Sequence, residues 1–339
     1  MVVLEHAYGV VYQKYEGDFS VAKLRAAQPM DDTLHVVCTI SNPCNYARRY
    51  QLAREFIDRL SREPRVQLYV TEVLYPALPN QTEFQLTDAL NPRHSQLSLA
   101  MPLWSKENCI NYTIRHKLPT NWKAVAWIDA DVAFDNTNWV EETLQALQCA
   151  DIVQLFSHCV DMDASGSAMN IFQGSMYQYI DHRRRGPGLH YWHPGYAWAC
   201  TRKAYERMGT PEHPGLYDLS ILGSGDDHLM RSLIGEESWT TSVHGQATSD
   251  YQDTIYAFAQ RCLGLRVGVV PGVIHHFFHG SKQKRKYKER WDILVQNQYS
   301  PTVHILKDAV GLNHMSSAFP LQMAVDILQY FLDRKEDEV

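Results

Sequence analysis

Val125-Ala-Trp-Ile-Asp129-Ala-Asp131 is an apolar strand that delivers two carboxylates at its C-terminal end. Side chains two apart in a strand point to the same side, so Asp129 and Asp131 can face one ligand. In open α/β sheets ligands gather at that edge, and two hard oxygen donors there suit Mg²⁺ or Mn²⁺ bridging a nucleoside diphosphate. Taken alone, a D-x-D pair more often merely ends a strand and caps a turn, so its meaning depends on its surroundings.

Upstream, Thr33 to Ile40 (TLHVVCTI) reads as a buried strand closed by Ser41-Asn42-Pro43. From Asn45 to Leu60 the apolar residues recur every 3.6 positions opposite Arg48, Arg49, Arg54 and Arg59, which predicts a helix. A strand from Val66 to Val73 follows. A second helix, Ser105 to Lys117, is expected to be capped by Ser105 and stopped before Pro119, ahead of the strand Ala124 to Ile128. This βαβαβ beginning predicts an α/β fold with a mainly parallel sheet.

Downstream, a helix over Asn136 to Leu147 and a strand over Asp151 to Phe156 are expected. Between Ser157 and Pro194 the periodicity dissolves into DASGS, HRRRGPG and WHPG, a long loop region whose Tyr177, Tyr179, Tyr191 and Trp192 favour a binding role. Helical patterns return at Arg202 to Met208, Asp226 to Ile234 and Tyr251 to Leu263. A β-rich stretch over Leu265 to Phe278, a basic helix from Lys284 to Asn297 and an amphipathic segment, Leu321 to Leu332, complete the chain. The expected division is an N-terminal arm (1–32), an α/β domain (33–300) and a C-terminal helical extension (301–339) that docks on the body.

With 339 residues, 45% hydrophobic and 21% charged, the composition excludes disordered, collagenous and coiled-coil classes. Thirty-two Lys plus Arg against thirty-eight Asp plus Glu give a net charge of -6, which offers no global attraction to nucleic acid or to an anionic membrane. No run approaches a membrane-spanning length, and MVVLEHAYGV lacks a signal peptide's basic flank, so a cytoplasmic protein without a membrane span is expected. The seven cysteines form no C-x-x-C pair and are expected to be reduced packing residues.

Four further constellations could carry chemistry. Gly223-Ser-Gly225-Asp226-Asp227-His228 presents two acids at a helix start, where either could act as a general base, although acids at a helix N-terminus are also ordinary structure. Val273 to Lys282 ends a strand with His275, His276 and His279, of which His276 or His279 could complete a metal site, while Lys282 could hold a phosphate. A histidine on such a strand is more often a satisfied core residue, and the KQKRKYKER run that follows could be only a solvated face. Trp104 to Asn111 places Lys106 and Asn111 just before the D-x-D strand. His190 to Trp198 concentrates rings beside glycine and proline, as either a sugar-stacking surface or ordinary core.

In order and spacing, TISNP, WSKENCIN, AWIDAD, GSGDD and HHFFHGSK resemble the GT-A glycosyltransferase superfamily over roughly residues 33 to 300. The likeness is strongest to the inverting branch and to viral and phage members with a similar HGxK-R-Y-ER end. It implies a Rossmann-like α/β/α sandwich, Mn²⁺ or Mg²⁺, a nucleotide-diphosphate sugar donor (a UDP-sugar favoured) and a glycan or other hydroxyl acceptor. Carried onto this chain, the metal would be held by Asp131, with Asp129 bound to it or to the ribose, and by His276 or His279. The donor would contact Thr39, Ser41, Asn42, Glu72, Lys106, Asn111, Asp129 and Lys282, and Asp226 or Asp227 would be the base. The competing readings are a retaining enzyme, since His276-x-x-His279-x-x-Lys282 partly matches a phosphate motif of retaining families, a sugar nucleotidyltransferase, and a noncatalytic carbohydrate-binding protein. The nucleotidyltransferase reading lacks its Gly-rich loop, because SNPCNYARR stands there.

Overall fold

The computed structural model describes residues 32–180, 193–235, 246–281, 283–287 and 289–338 in full, and the backbone alone of Val2–Ala7, Val10–Tyr15, residues 181–182 and Trp192. The chain divides into two compact units, Met1–Met30 and Asp31–Val339. In the first, β1 (Val2–Ala7) and β2 (Val10–Tyr15) pair antiparallel, where the sequence suggests only an arm.

The second unit begins with β3 (Leu34–Ser41), whose apolar run is buried along most of its length. Helix α1 (Ala47–Ser61) turns Leu52, Ala53, Phe56 and Leu60 inward, and β4 (Val66–Leu74) returns parallel to β3. A strand not foreseen, β5 (His94–Ser98), extends the sheet beyond β4, its HSQLS sequence being too short and mixed to read. Helix α2 (Lys106–Lys117) leads to β6 (Ala124–Ile128), buried throughout, which docks on the other flank of β3. The expected cap does not form: Ser105, at φ −107° and ψ 19°, lacks the extended backbone that lets a cap hydroxyl reach the first turn.

The chain then continues through β7 (Val132–Phe134), α3 (Trp139–Cys149) and β8 (Ile152–Gln154). Where a long loop was expected after Ser157, β9 (His158–Met162) and β10 (Ala168–Gly174) form an antiparallel hairpin, followed by α4 (Ser175–His182) and β11 (Trp192–His193). Ala168 to Ile171 are all exposed, so no hydrophobic alternation marks the first half of β10 in the sequence. His190 and Tyr191 lie outside the described residues.

Strand β12 (Ala197–Thr201) inserts antiparallel between β6 and β8, and α5 (Arg202–Met208), α6 (Gly225–Ile234) and α7 (Ser249–Cys262) lead to β13 (Val267–Val269) and β14 (Val273–His276). The central sheet has the order β13-β8-β12-β6-β3-β4-β5 and is parallel except at β12. A second sheet runs β11-β10-β9-β14-β7.

The expected basic helix is broken into a 3₁₀ turn, Gln283–Arg285, and α8 (Arg290–Gln296), with Lys286 between them at φ 45°, which no α-helix accommodates. Beyond Ser300 the chain is not purely helical: α9 (Pro301–His304) precedes a hairpin of β15 (Ile305–Lys307) and β16 (Asn313–Met315), and then α10 (Leu321–Asp333) packs on α8. All seven cysteines are free, and no helix among the described residues is long and apolar enough to cross a membrane.

This topology decides where a site can lie. The chain moves outward through β4 and β5 and returns to the opposite flank of β3, so a switch point falls between β3 and β6. Beyond the C-terminal ends of two such strands a crevice opens. Ser41 and Asp129 stand at those two ends.

Candidate functional site

A cavity of about 450 Å³ fills this crevice and is lined by Thr39, Ser41, Asn42, Lys106, Asp129, Asp131, Asp226, Asp227, His276 and His279. Glu72 and Asn111 are elsewhere. The Glu72 carboxylate is buried and accepts the backbone N–H groups of Gln85, Leu86 and Thr87, pinning a loop. Asn111 donates to Leu216 O and accepts from Leu216 N and Tyr205 Oη, so its buried amide is spent on structure. Lys282 lies outside the described residues.

Asp131, His276 and His279 each offer one ligand atom, and these atoms all lie within 4.8 Å of one another. The pairing of β14 with β9 sets His276 opposite Asp161, whose Oδ1 is 2.6 Å from His276 Nδ1. Glu336, beyond α10, brings Oε2 within 3.2 Å of His279 Nδ1. With Nδ1 of each imidazole turned to an outer carboxylate, both Nε2 atoms face Asp131, at 4.0 Å for His276 and 2.8 Å for His279, and Arg285 Nη2 lies 3.1 Å from the Nε2 of His279. Two imidazole Nε2 atoms turned toward a carboxylate are the donor set a divalent cation takes, with the outer carboxylates orienting the rings and Arg285 holding the Nε2 of His279 in the cation's place. Asp131 Oδ1 is buried without a partner, which fits the same need. Burial lowers the His276 imidazole below its ordinary value, keeping it neutral.

Asp129 does not join this cluster. Its carboxylate is 2.6 Å from Lys106 Nζ at the start of α2, and burial, with Asp131 and Asp226 adding to it, pushes it up to about 6 against the pull of that lysine.

The glycine-acid turn brings Asp226 and Asp227 into the first turn of α6 but gives them different neighbours. Asp227 is engaged by Arg231 one turn on, at 2.9 Å. Asp226 lies 3.5 Å from Lys106 Nζ in a niche floored by glycine: a Cβ on Gly195 would stand 2.5 Å from Asp226 Oδ2, and one on Gly225 would overlap the Glu107 carboxyl. Glu107 is buried below it, pushed up to about 8 by burial and then by the Asp226 charge, so at neutral pH it keeps its proton and hydrogen-bonds Asp226. Burial works against the charge on Asp226, but Lys106, then His193, hold its carboxyl below the usual range. Asp226 is therefore ionised.

At the end of β3, Thr39 Oγ1 is buried without a partner, whereas Ser41 Oγ meets Tyr75 Oη at 2.8 Å and the Asn42 amide bridges both backbone groups of Tyr46. In the ring-rich segment, His193 and Tyr196 stack at 3.9 Å and line the cavity, while Trp198 is core. The cavity also contains Arg49, Arg285, Arg290, Arg334 and Glu336, which the sequence reading did not single out. The basic run held the signal for two of them, but a charge run alone does not say which members turn inward.

No family model matches the chain, and no curated protein matches it. Among solved structures it is similar to glucosyl-3-phosphoglycerate synthase from Mycobacterium tuberculosis in complex with Mn²⁺, UDP-glucose and phosphoglyceric acid, at 13% identity over 91% of this chain and 94% of that one, with a TM-score of 0.39. It is also similar to the catalytic domain of Drosophila β1,4-galactosyltransferase 7 in complex with xylobiose, at 10% identity over 83% and 91%, with a TM-score of 0.33. A third is 4-diphosphocytidyl-2C-methyl-D-erythritol synthase from Anaerococcus prevotii, at 11% identity over 75% and 90%, with a TM-score of 0.34.

Proposed function

We propose that this chain is a metal-dependent glycosyltransferase of the GT-A type, moving a sugar from a nucleoside-diphosphate sugar, a UDP-sugar favoured, to a hydroxyl acceptor with inversion. The observation that carries this reading is one cavity holding both a cation-binding set, Asp131, His276 and His279, and a separate ionised carboxylate, Asp226, at the switch point of an α/β sheet. The ordered motifs of the sequence support it independently.

Asp131, His276 and His279 would hold the metal, and two imidazoles among three protein ligands suit Mn²⁺ better than Mg²⁺, which prefers oxygen. The bound ion supplies Lewis-acid neutralisation of the diphosphate. The residues of the chain do the rest. Thr39, with its unpaired hydroxyl at the end of β3, contacts the donor, and Lys106 stands between Asp129 and Asp226 to orient both. As the acceptor oxygen bonds to the anomeric carbon, the bond from that carbon to the diphosphate oxygen breaks, and the leaving group departs with the electron pair. The acceptor proton passes to Asp226, because Asp227 is held by Arg231.

Calorimetric titration of UDP, GDP and their sugar conjugates, each with Mn²⁺ and with EDTA, tests the reading without knowledge of the acceptor. One nucleotide sugar should bind only with metal, and Asp131→Asn should lose that binding. Once an acceptor is in hand, Asp226→Asn should leave donor binding unchanged and slow transfer by ~10²-fold or more, the usual scale of general-base catalysis. Binding that ignores EDTA, or none at all, would sink the assignment.

A further inference from the structure

Two buried guanidiniums that line the cavity have no acid in direct contact with them. Lys106 is paired with Asp129, while Arg49 and Arg334 share Glu336. Arg285 and Arg290 are each 7% exposed, and among the described residues neither has a carboxylate within ion-pair distance. Arg285 donates from Nη2 to His279 Nε2 at 3.1 Å and from Nη1 to Tyr287 Oη at 3.2 Å. Arg290 donates from Nη2 to Ser224 Oγ at 2.8 Å, reaches Tyr330 Oη at 3.5 Å, and lies over the rings of Tyr287 and Trp104. The Nε of each is buried without a partner. A buried guanidinium is costly unless an anion meets it, and the planar fork matches phosphate or carboxylate.

The two arginines both meet Tyr287 but differ in their other polar partners. Arg285 bonds a member of the cation-binding set. Arg290 bonds Ser224, two residues before Asp226, and its guanidinium lies so close over Gly223 that a Cβ there would be 2.7 Å from Nη1. The glycine turn that positions the acid thus also seats the arginine.

We propose that Arg290 is the anchor of an anion subsite distinct from the diphosphate position, and that the hydroxyl acceptor is itself anionic, held there by a phosphate or carboxylate group. The assignment to an acceptor rests on the transferase reading; the anion subsite does not.

The test is calorimetry with inorganic phosphate and, in a second arm, acetate, titrated into protein already saturated with Mn²⁺ and UDP, and into free protein. One of the two anions should bind the UDP-loaded protein, and the tighter one names the group. Arg290→Gln should weaken that binding by about tenfold or more, as loss of a hydrogen bond to a charged group does, while UDP affinity changes less than twofold. Arg290→Lys should retain part of it, with circular dichroism confirming that both variants are folded. Abolition of anion binding by UDP would give Arg290 to the donor and overturn the proposal, as would an Arg290→Gln variant that binds both anions normally. If UDP does not bind but Arg290-dependent anion binding persists, the transferase reading and the acceptor assignment fall and the subsite alone stands.

Discussion

Glu107 is buried directly against Asp226, which lines the cavity, and the proton on Glu107 lets the two carboxyls stand side by side. In the unfolded chain Glu107 titrates in the ordinary carboxylate range, whereas folding pushes it up to about 8, by burial first and the Asp226 charge second. The folded protein therefore holds the extra proton between those values. Stability is fully present below the ordinary range and is lost as pH rises through about 8. Asp129, pushed up to about 6, adds a loss of the same sign at lower pH. Melting temperatures of the wild type should fall from pH 6 to pH 9, and Glu107→Gln, which keeps a donor toward Asp226, should flatten the upper part of that fall. Parallel profiles would show that Glu107 does not carry the proton. Residue identity was readable here only in part: Glu107 sits one position from Lys106 in a motif singled out for its lysine, but burial of an acid leaves no trace in sequence. The same gap explains Glu72 and Asn111, polar residues near the motifs whose partners include backbone groups in loops 13 residues on for Glu72 and 105 residues on for Asn111.

At the scale of strands, the cation-binding set depends on the pairing of β14 with β9, which places Asp161 against His276. A one-residue slip would turn the carboxylate to the other face of the sheet. Asp161→Asn should weaken Mn²⁺ binding about 10- to 100-fold, the usual effect of losing an outer-shell carboxylate, as read from the free Mn²⁺ signal in electron paramagnetic resonance. Asp163→Asn, in the exposed turn of the same hairpin, should bind as the wild type does, and equal affinity in both variants would remove Asp161 from the site. In the central sheet β3, β4, β6 and β8 were legible because each carries a continuous apolar run, as α1 was by its 3.6-residue face, whereas β5 and β12 were not foreseen. The β9–β10 hairpin was not, since one of its strands is largely exposed and its value lies in a single cross-strand contact that pairs positions 115 residues apart.

Across the whole second unit, the segment after Ser300 closes the site that the β3–β6 switch opens. Tyr46 Oη donates to the carbonyls of Phe331 and Leu332, Asp337 accepts the Ala47 and Arg48 N–H groups at the start of α1, and Glu336 lies between Arg49, Arg334 and His279. Burial opposes the charge on Glu336, but Arg49, then Arg334, hold it well below the usual range. Glu336→Gln would leave two guanidiniums without their carboxylate, at a cost of about 3–5 kcal/mol by urea denaturation, the scale for breaking a buried pair. Glu338→Gln, which loses only surface contacts with Lys284 and Lys335, should leave the urea midpoint unchanged. Equal midpoints for the two variants would show that the tail is a surface appendage.

Trp104 is one of eight tryptophans, but its ring lies parallel to Phe331 at 6.3 Å with the guanidiniums of Arg290 and Arg334 at 6.0 and 5.2 Å from its centroid. Indole emission responds to nearby charge, so any anion that neutralises those arginines alters the electric field across this ring. The cavity thus carries its own optical probe, and occupancy can be followed in the unlabelled protein, with Trp104→Phe separating its signal from the other seven.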